Sequence, residues 1–372
     1  MRKLLNTLYV TTPEAHLGRE RESVLVYVDD EVRFRIPIHN LEGIVTFGYT
    51  GASPALMHLC TSRGVALSFL SPSGRLLAKV GGPVQGNVLL RKRQYELSDE
   101  PATTLEFARS FILGKLLNSR TVLRRFLRDH PDREGTREVD QAARTITSQV
   151  DKLLDVNSME VLRGIEGEAA RTYYGVFNNL ILDSKETFYF GGRSRRPPLD
   201  RTNAVLSFLY SLLAHDCSAA LETVGLDPQV GFLHRIRPGR ASLALDLMEE
   251  LRPYLVDRLT LSLINTNQID KRDFVVKESG GVLMTDDGRK KIVNAWQTRK
   301  QQEVTHPYFE ERFEVGLIPY AQAMLLARCI RGDIDGYPPF LMKGLLVCGC
   351  TLVRSSARLR VEVVGHDGFG YL

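Results

Sequence analysis

The sequence predicts an α+β protein of two domains, with a small β-rich, sandwich-like domain at the N-terminus and a larger all-α domain after it. Three observations lead to this prediction. Short β-branched or alternating runs occupy about the first 80 residues, apolar residues recur at helical spacing from about residue 101, and 372 residues exceed one ordinary domain. We therefore divide the chain into a β-rich domain at 1–85, a linker at 86–100, a helical domain at 101–343 and a tail at 344–372.

The N-terminal domain is predicted from four strand-like runs, at 23–28, 32–38, 43–48 and 64–80. One helix interrupts them at 53–64. Ser53 is a good N-cap for this helix, Pro54 fits its first turn, and Gly64 can end it. The expected product is a small β sandwich that carries one helix.

The larger domain is predicted from six segments with helical periodicity, at 101–128, 138–156, 158–182, 202–224, 242–263 and 319–331. Polar or Gly/Pro-bearing connections separate these segments, such as 190–200. The tail at 344–372 is apolar and basic by turns. A strand is one interpretation of the tail, and its role is unknown.

Composition is typical of a soluble globular protein, since 43% of the residues are hydrophobic and 25% are charged. The net charge of +5 is too small to indicate nucleic-acid binding by itself. Five cysteines without a C-x-x-C pair predict neither a disulfide framework nor a zinc site, which suits reducing cytosol. Because we find no signal peptide and no apolar run of membrane-spanning length, we expect a cytoplasmic protein without a membrane segment.

One predicted helix carries a carboxylate on its apolar face. At about 3.6 residues per turn, Glu166 shares a face with Leu162 and Tyr173. An unpaired buried carboxylate is costly, so Glu166 needs a partner such as an arginine or a cation. Gly164 and Gly167 flank it and suggest the close approach of another helix or a ligand. A salt-bridged glutamate at a helix seam is the structural interpretation, and a functional site is the alternative.

The segment 231–253 combines carboxylates, a histidine and arginines around a tight turn. The helix after the turn starts at an N-cap Ser242, and the side away from its leucines carries Asp246, Glu249 and Glu250. His234 precedes Glu249 by 15 residues and could fold back over the helix. Arginines crowd the turn at Arg235, Arg237 and Arg240. A phosphate-handling site needs this mixture, whereas a solvated acidic face is the ordinary structural interpretation.

These residues resemble the motifs of a known family, the integrase–endonuclease of CRISPR adaptation, which inserts new spacers into the repeat array. LRGIEG at 162–167 resembles its first metal-ligand motif, and SRRPPLDRTNAVLSFLYSLL at 194–213 resembles its central signature. GFLHRIRPGRASLALDLMEELRP at 231–253 resembles the segment with the remaining ligands. IPIHNLEGIVTFG and GVALSFLSPSGRLLAKV resemble its β domain. The resemblance covers roughly 1–343 and is greatest to the longer form found with type I-C systems, whereas the tail matches nothing in the family.

The resemblance implies that the β-rich domain mediates dimerisation and that the helical domain is catalytic. It also implies that two homodimers, bridged by a small ferredoxin-like partner subunit, act on double-stranded DNA. In the catalytic site it implies Glu166, His234 and Glu249 as metal ligands, with Asp246 as a second acidic position that some members use. A set of carboxylates with one imidazole favours Mn²⁺ or Mg²⁺ over a structural zinc.

The reaction implied by the resemblance is a transesterification, in which the 3′-OH of a short DNA duplex attacks a phosphodiester at a repeat boundary. We expect phosphate contacts from Arg235 and Arg240 and a DNA track along 193–196, for which a solvated basic loop is the alternative. The full set of predicted DNA-binding residues is Arg163, Tyr173, Arg193, Arg195, Arg196, Arg235 and Arg240.

Two other functions fit the same residues. A general metal-dependent DNA nuclease or junction resolvase would use the same three ligands with water as the only nucleophile. A non-catalytic DNA-binding scaffold would need Glu166 only as a salt-bridged residue. Joining of a 3′-OH duplex into a plasmid distinguishes the integrase from both.

Overall fold

The computed structural model describes residues 7–12, 14–41, 43–48, 51–71, 76–81, 88–342, 350–355 and 358–363. Eight strands build the N-terminal region: β1 Thr7–Val10, β2 His16–Glu20, β3 Ser23–Val28, β4 Glu31–Pro37, β5 Gly43–Phe47, β6 Gly51–Ala52, β7 Ala66–Leu70 and β8 Leu76–Val80. They form two four-stranded sheets, one in the order β1-β5-β7-β8 and the other in the order β4-β3-β2-β6.

The two sheets and the helix α1 (Pro54–Arg63) share one core. Its buried side chains come from both sheets and from the helix, as Leu17, Ile44 and Leu56 illustrate. The predicted ends of α1 are confirmed, because the Ser53 hydroxyl accepts from the Leu56 N–H at 3.3 Å and Gly64 ends the helix at φ +69°. The predicted β-rich sandwich is therefore confirmed.

Nine further α-helices follow among the described residues: α2 Val88–Asp99, α3 Pro101–Asp129, α4 Thr136–Leu154, α5 Met159–Gly175, α6 Arg201–Thr223, α7 Ser242–Leu251, α8 Arg258–Asn265, α9 Asp286–Gln301 and α10 Ile318–Arg331. A π-helical segment, Arg252–Asp257, joins α7 to α8, so the helix predicted at 242–263 is continuous but wider in its middle. Short hairpins pair β9 Phe274–Val276 with β10 Val282–Met284, β11 Glu303–Thr305 with β12 Arg312–Glu314, and β13 Cys350–Ser355 with β14 Arg358–Val363.

The structure differs from the predicted elements in three places. The stretch 86–100, predicted as a linker, contains α2, which is anchored because the buried Gln94 side chain donates to the Asp227 and Val230 carbonyls at 2.8 Å. The sequence analysis missed α9. The helix predicted at 158–182 ends at Gly175, and a 3₁₀ turn follows. Strands are confirmed within the tail, of which 344–349, 356–357 and 364–372 lie outside the described residues.

The outer face of the first sheet packs on the helical region. Phe47 of β5 lies against Phe208 of α6, with ring centroids 5.5 Å apart, and the Gln297 amide donates to the Thr7 carbonyl at 2.9 Å. Among the described residues α6 is the one helix long and apolar enough to cross a membrane, but 61% of its most apolar window is buried in the fold. Core helices commonly have this property.

Candidate metal centre

Three helices bring three charged side chains together. α3 packs against both α5 and α7, and Lys115, Glu166 and Glu249 project from these helices towards one another. The hydroxyl of Ser158 accepts from the Val161 N–H at 3.2 Å and starts α5. The Glu249 side chain is 4% exposed and that of Glu166 is 30% exposed, so the site opens to solvent on the α5 side.

Lys115 lies between the two glutamates. Its ammonium makes a short hydrogen bond to Glu166 Oε1 and lies 2.9 Å from Glu249 Oε2. Glu249 Oε2 is buried, and the Lys115 ammonium is its charged partner. Burial disfavours the charged form of Lys115, but Glu249 and Glu166 outweigh it and raise the pKa of the amine. Lys115 is therefore a cation here.

Arg252 neutralises the other oxygen of Glu249. Its guanidinium lies 3.0 Å from Glu249 Oε1, one turn along the helix. Burial alone would raise the pKa of Glu249, but the positive charges of Arg252 and Lys115, with a contribution from His234, lower it to about 2. Glu249 is consequently ionised although it is almost completely buried.

His234 reaches the same group from the loop before α7. Its Nε2 lies 3.7 Å from Glu249 Oε1, while its Nδ1 lies 2.7 Å from Asp246 Oδ1. Asp246 also accepts from the backbone N–H groups of Phe232, Leu233 and His234 at 2.6, 3.0 and 2.9 Å. An ionised carboxylate only accepts hydrogen bonds, so Nδ1 donates to Asp246 and Nε2 is the ring nitrogen that faces Glu249.

The ordinary interpretation of the α7 carboxylates was a solvated acidic face, and the structure contradicts it. Every residue of α7 except Leu245 is buried, because α3, α6 and α10 all pack on this helix. Asp246, predicted as a further catalytic acid, contacts the His234 loop rather than the space between Glu166 and Glu249. The role that these contacts support is the orientation of His234, and a direct catalytic role of Asp246 stays a prediction.

Glu250 has different partners from Asp246 and Glu249, and it anchors the segment after α10. It accepts from the Tyr337 hydroxyl at 2.5 Å, the Gln322 amide at 2.9 Å and the Phe340 N–H at 2.9 Å. Burial, only partly offset by these hydrogen bonds, raises its pKa to about 8. Gly114 permits this packing, since a Cβ there would lie 2.7 Å from the Glu250 Cβ. Glu250 is thus a structural carboxylate.

Two residues predicted to bind DNA make most of their contacts within the protein. Tyr173 is 3% exposed and packs edge-on against Tyr174, with ring centroids 5.3 Å apart. Arg193 is half-buried, and it donates to the Asn203 side chain at 2.7 Å and to the Ser207 hydroxyl at 3.1 Å. These contacts give both side chains a structural role, and their DNA binding stays a prediction.

The other predicted DNA-binding residues lie on the surface or support the His234 loop. Arg195, Arg196 and Arg235 are exposed, and Arg240 is half-buried. Arg163 is also half-buried, and its guanidinium donates to the Leu233 carbonyl at 3.0 Å, one residue before His234.

The glycines beside Glu166 do not serve the approach of a helix. A Cβ at Gly164 or Gly167 would meet no heavy atom within 4 Å. The surface next to Glu166 is therefore open, which leaves the ligand interpretation of these glycines standing.

Lys115 is not among the predicted site residues, although its sequence neighbours indicate its position. Phe111 and Ile112, one turn before it, and Ser119, one turn after it, are buried, so Lys115 lies on the apolar face of α3 just as Glu166 does on that of α5. A charged side chain on an apolar helix face needs a partner, and this argument applies to Lys115 as it does to Glu166.

A buried polar chain behind Arg252 was missed as well. The Tyr210 ring lies between the guanidinium groups of Arg252 and Arg193, at 5.1 and 5.3 Å from its centroid. Its hydroxyl donates to Asp257 Oδ1 at 2.5 Å. Burial raises the pKa of Asp257 to about 6 despite this hydrogen bond. The chain holds Arg252 in place against Glu249.

The donors at the cleft are of the kinds that Mn²⁺ and Mg²⁺ accept, namely carboxylate oxygens and one imidazole nitrogen. Among the described residues, no three His, Cys, Asp or Glu side chains already surround a single point closely enough to hold an ion. A positive charge nevertheless stands between Glu166 and Glu249 in the form of the Lys115 ammonium. Together with the buried, ionised Glu249 carboxylate, this arrangement fits a cation-binding site.

Comparisons with known proteins agree on one family. A family model described as CRISPR associated protein Cas1 matches residues 8–298. A CRISPR-associated endonuclease Cas1 from Chlorobaculum tepidum is 50% identical over 343 residues, which is 92% of this chain and 100% of that protein. A second such endonuclease, from Rhodospirillum rubrum, is 50% identical over 351 residues, again 92% of this chain and 100% of that protein. Among solved structures, a casposase bound to integration product has a TM-score of 0.77 and 25% identity, covering 90% of this chain and 93% of that one.

Proposed function

The chain belongs to the Cas1 family of CRISPR-associated endonucleases, and from that premise we propose that it inserts short duplex DNA into a CRISPR repeat array by metal-dependent transesterification. The observation that carries the proposal is the convergence of Glu166, His234 and Glu249 on one cleft. The similarity of the protein's structure to that of a casposase bound to integration product supports the joining of DNA in addition to its cleavage.

The metal ligands of this proposal are Glu166 Oε1, Glu249 Oε2 and His234 Nε2. When bound there, Mn²⁺ or Mg²⁺ would polarise a phosphodiester and neutralise the charge that develops on it. The protein's contribution is to fix the donors. Asp246 accepts from His234 Nδ1 and so orients Nε2 towards Glu249, and Arg252 balances the charge on Glu249 Oε1.

Positively charged residues around the cleft would place the DNA. Arg235 and Arg240 follow His234 on its loop and would contact phosphates next to the reacting one. Arg195 and Arg196 lie on an exposed loop and would extend this contact along the duplex. Because such contacts are to phosphates, they would fix the register of the duplex without reading its sequence.

Assembly is also part of the proposal. We assign dimerisation to the β-rich domain, whose edge strand β4 exposes Val32 and Phe34 at 48 and 49%. A small ferredoxin-like subunit would bridge two dimers, and the protein would act in the cytoplasm in a type I-C-like system.

An integration assay tests the function. A 3′-OH duplex, a plasmid carrying a repeat, and Mn²⁺ or Mg²⁺ should give joined product with the wild type. His234→Ala should abolish joining while the melting temperature stays within a few degrees, because His234 is at the surface of the cleft. Normal joining by His234→Ala would overturn the proposal.

The scaffold alternative has one observation in its favour, since the ion pair it requires for Glu166 is present with Lys115. Glu166→Ala separates the two functions. If the protein is a scaffold, Glu166→Ala should keep DNA binding and lose no activity. If it is an integrase, Glu166→Ala should keep DNA binding and lose joining. Cleavage by the wild type without joining would favour the nuclease or resolvase.

A further inference from the structure

Lys115 occupies the position between the two proposed carboxylate ligands. Its ammonium contacts Glu166 Oε1 and Glu249 Oε2, and its side chain is only 12% exposed. Lysine is rarely buried without an ionic partner, and here the two partners come from different helices. The Lys115 side chain of α3 therefore links α5 to α7 through two ion pairs, at the position where a metal would link the same two carboxylates.

The two proposed carboxylate ligands already have positively charged partners. Lys115 contacts both Glu166 and Glu249, and Arg252 contacts Glu249. A divalent cation bound between the two carboxylates would lie within a few ångströms of the Lys115 ammonium, and the two positive charges would repel each other in a partly buried site. Electrostatics then requires that one cation move out or that an anion enter.

Of the two cations, Lys115 is the one that can leave. Arg252 is held by the Tyr210 ring as well as by Glu249. Lys115 has a flexible four-carbon side chain, and among the described residues its polar contacts are the two ion pairs with Glu166 and Glu249 that a bound metal would replace. Beyond Glu166 the surface at Gly164 and Gly167 is open.

We propose that Lys115 is a resident counter-cation, which holds Glu166 and Glu249 together in the metal-free protein and yields its place when a divalent cation binds. The proposal rests on the metal-dependent function proposed above. Displaced into the open side of the cleft, the ammonium remains close enough to attract a phosphodiester anion, so that its charge is balanced by substrate.

Chemical labelling of the wild type tests the displacement without any variant. Reductive methylation followed by mass spectrometry gives the modification rate of each lysine with and without Mn²⁺. Lys115 should react severalfold faster in the presence of Mn²⁺. Lys300 is the matched control, because it is also buried and paired, 2.8 Å from Asp216 in a site remote from the cleft, and its rate should not change.

Metal binding by Lys115→Met tests the competition. Without the ammonium, Mn²⁺ should bind roughly tenfold more tightly, because no ion pair has to be broken. The melting temperature without metal should fall, and its rise on adding Mn²⁺ should exceed that of the wild type. His234→Ala shows in parallel that the binding measured is at this site.

The outcomes separate the two proposals. If the wild type binds Mn²⁺ through His234, but Lys115 labelling is unaffected and Lys115→Met binds no more tightly, the counter-cation role is wrong and the metal site stands. If neither protein binds Mn²⁺ in a His234-dependent way, the proposed metal-dependent function is wrong and the role of Lys115 falls with it.

Discussion

His234 Nδ1 lies 2.7 Å from Asp246 Oδ1, and every hydrogen bond that the Asp246 carboxylate accepts comes from the loop that carries this histidine. Gly231 lets the loop come this close, because a Cβ at that position would lie 2.5 Å from Asp246 Oδ2. The imidazole is therefore oriented before any metal arrives.

Asp246→Asn should impair the enzyme through His234. An amide has one acceptor oxygen where the carboxylate has two, so the loop loses hydrogen bonds and the imidazole loses its fixed tautomer. We expect joining and Mn²⁺ affinity to fall by about 10- to 100-fold, with partial recovery of joining at high Mn²⁺. Asp140→Asn, at an exposed ion pair of α4, is the control and should behave as wild type. Unchanged Mn²⁺ dependence in Asp246→Asn would contradict the orienting role.

Glu250 should make stability depend on pH near neutrality. Its pKa in the folded protein is raised to about 8 from 4.5, so the folded state holds the proton more tightly than the unfolded state. The stabilisation is complete below pH 4.5 and is lost as the pH rises through 8. Between about pH 7 and 9 the loss should be about 1 kcal/mol.

Glu250→Gln is the variant that checks this, since the amide cannot ionise. Denaturant unfolding at several pH values should show a smaller decline for Glu250→Gln than for the wild type over that interval. Comparing the two proteins removes the contribution of the buried thiol of Cys217, whose pKa burial also raises. Parallel curves would show that Glu250 does not titrate there.

The arginines at 193–196 should separate into structural and DNA-binding residues. Replacing both Arg195 and Arg196 with alanine should weaken DNA binding and lower the slope of log affinity against log salt by about 2, without changing the melting temperature. Arg193→Ala should instead lower the melting temperature, because it loses Asn203, Ser207 and the Tyr210 ring. Fluorescence anisotropy across salt concentrations and thermal unfolding measure the two effects. An unchanged salt slope in the double variant would place the DNA track elsewhere.

The sequence predicted the fold class and the principal helices because their periodicity is strong and local. It also indicated Glu166 as a candidate site residue, because a carboxylate lies on the otherwise apolar face of α5. The segment containing His234 and Glu249 was a second candidate. It could not show that α7 is surrounded by other helices, so its carboxylates were open to interpretation as a solvated face. A pattern reports the side of a helix that is apolar, but burial of the other side depends on contacts distant in sequence.

The same limitation applies to the environments of Tyr173 and Arg193. Each residue belongs to a motif with functional residues, yet its own environment is set by segments that fold over it from elsewhere. Lys115 is the opposite case, because the local sequence was sufficient to indicate its position on an apolar face of α3. Its partners, however, lie 51 or more residues away.

Stability and function should oppose each other at Gly164 and Gly167. Both lie within α5, where glycine costs about 0.5–1 kcal/mol relative to alanine, and nothing lies within 4 Å of a Cβ at either position. Gly164→Ala and Gly167→Ala should therefore each raise the free energy of unfolding by up to that amount. If DNA approaches the backbone beside Glu166, the added methyl groups should also reduce joining, with Mn²⁺ affinity unchanged.

Gly114→Ala is the matched contrast, because its Cβ would lie 2.7 Å from the Glu250 Cβ and 2.9 Å from the Pro339 Cβ. This third variant should be destabilised, since two packed side chains would have to shift. Denaturant unfolding ranks the three variants, and integration assays at saturating Mn²⁺ measure joining. If Gly167→Ala is stabilised and joins DNA at the wild-type rate, the duplex does not reach this face of α5. If joining is reduced while metal binding is intact, the DNA lies on the same open side of the cleft as Glu166.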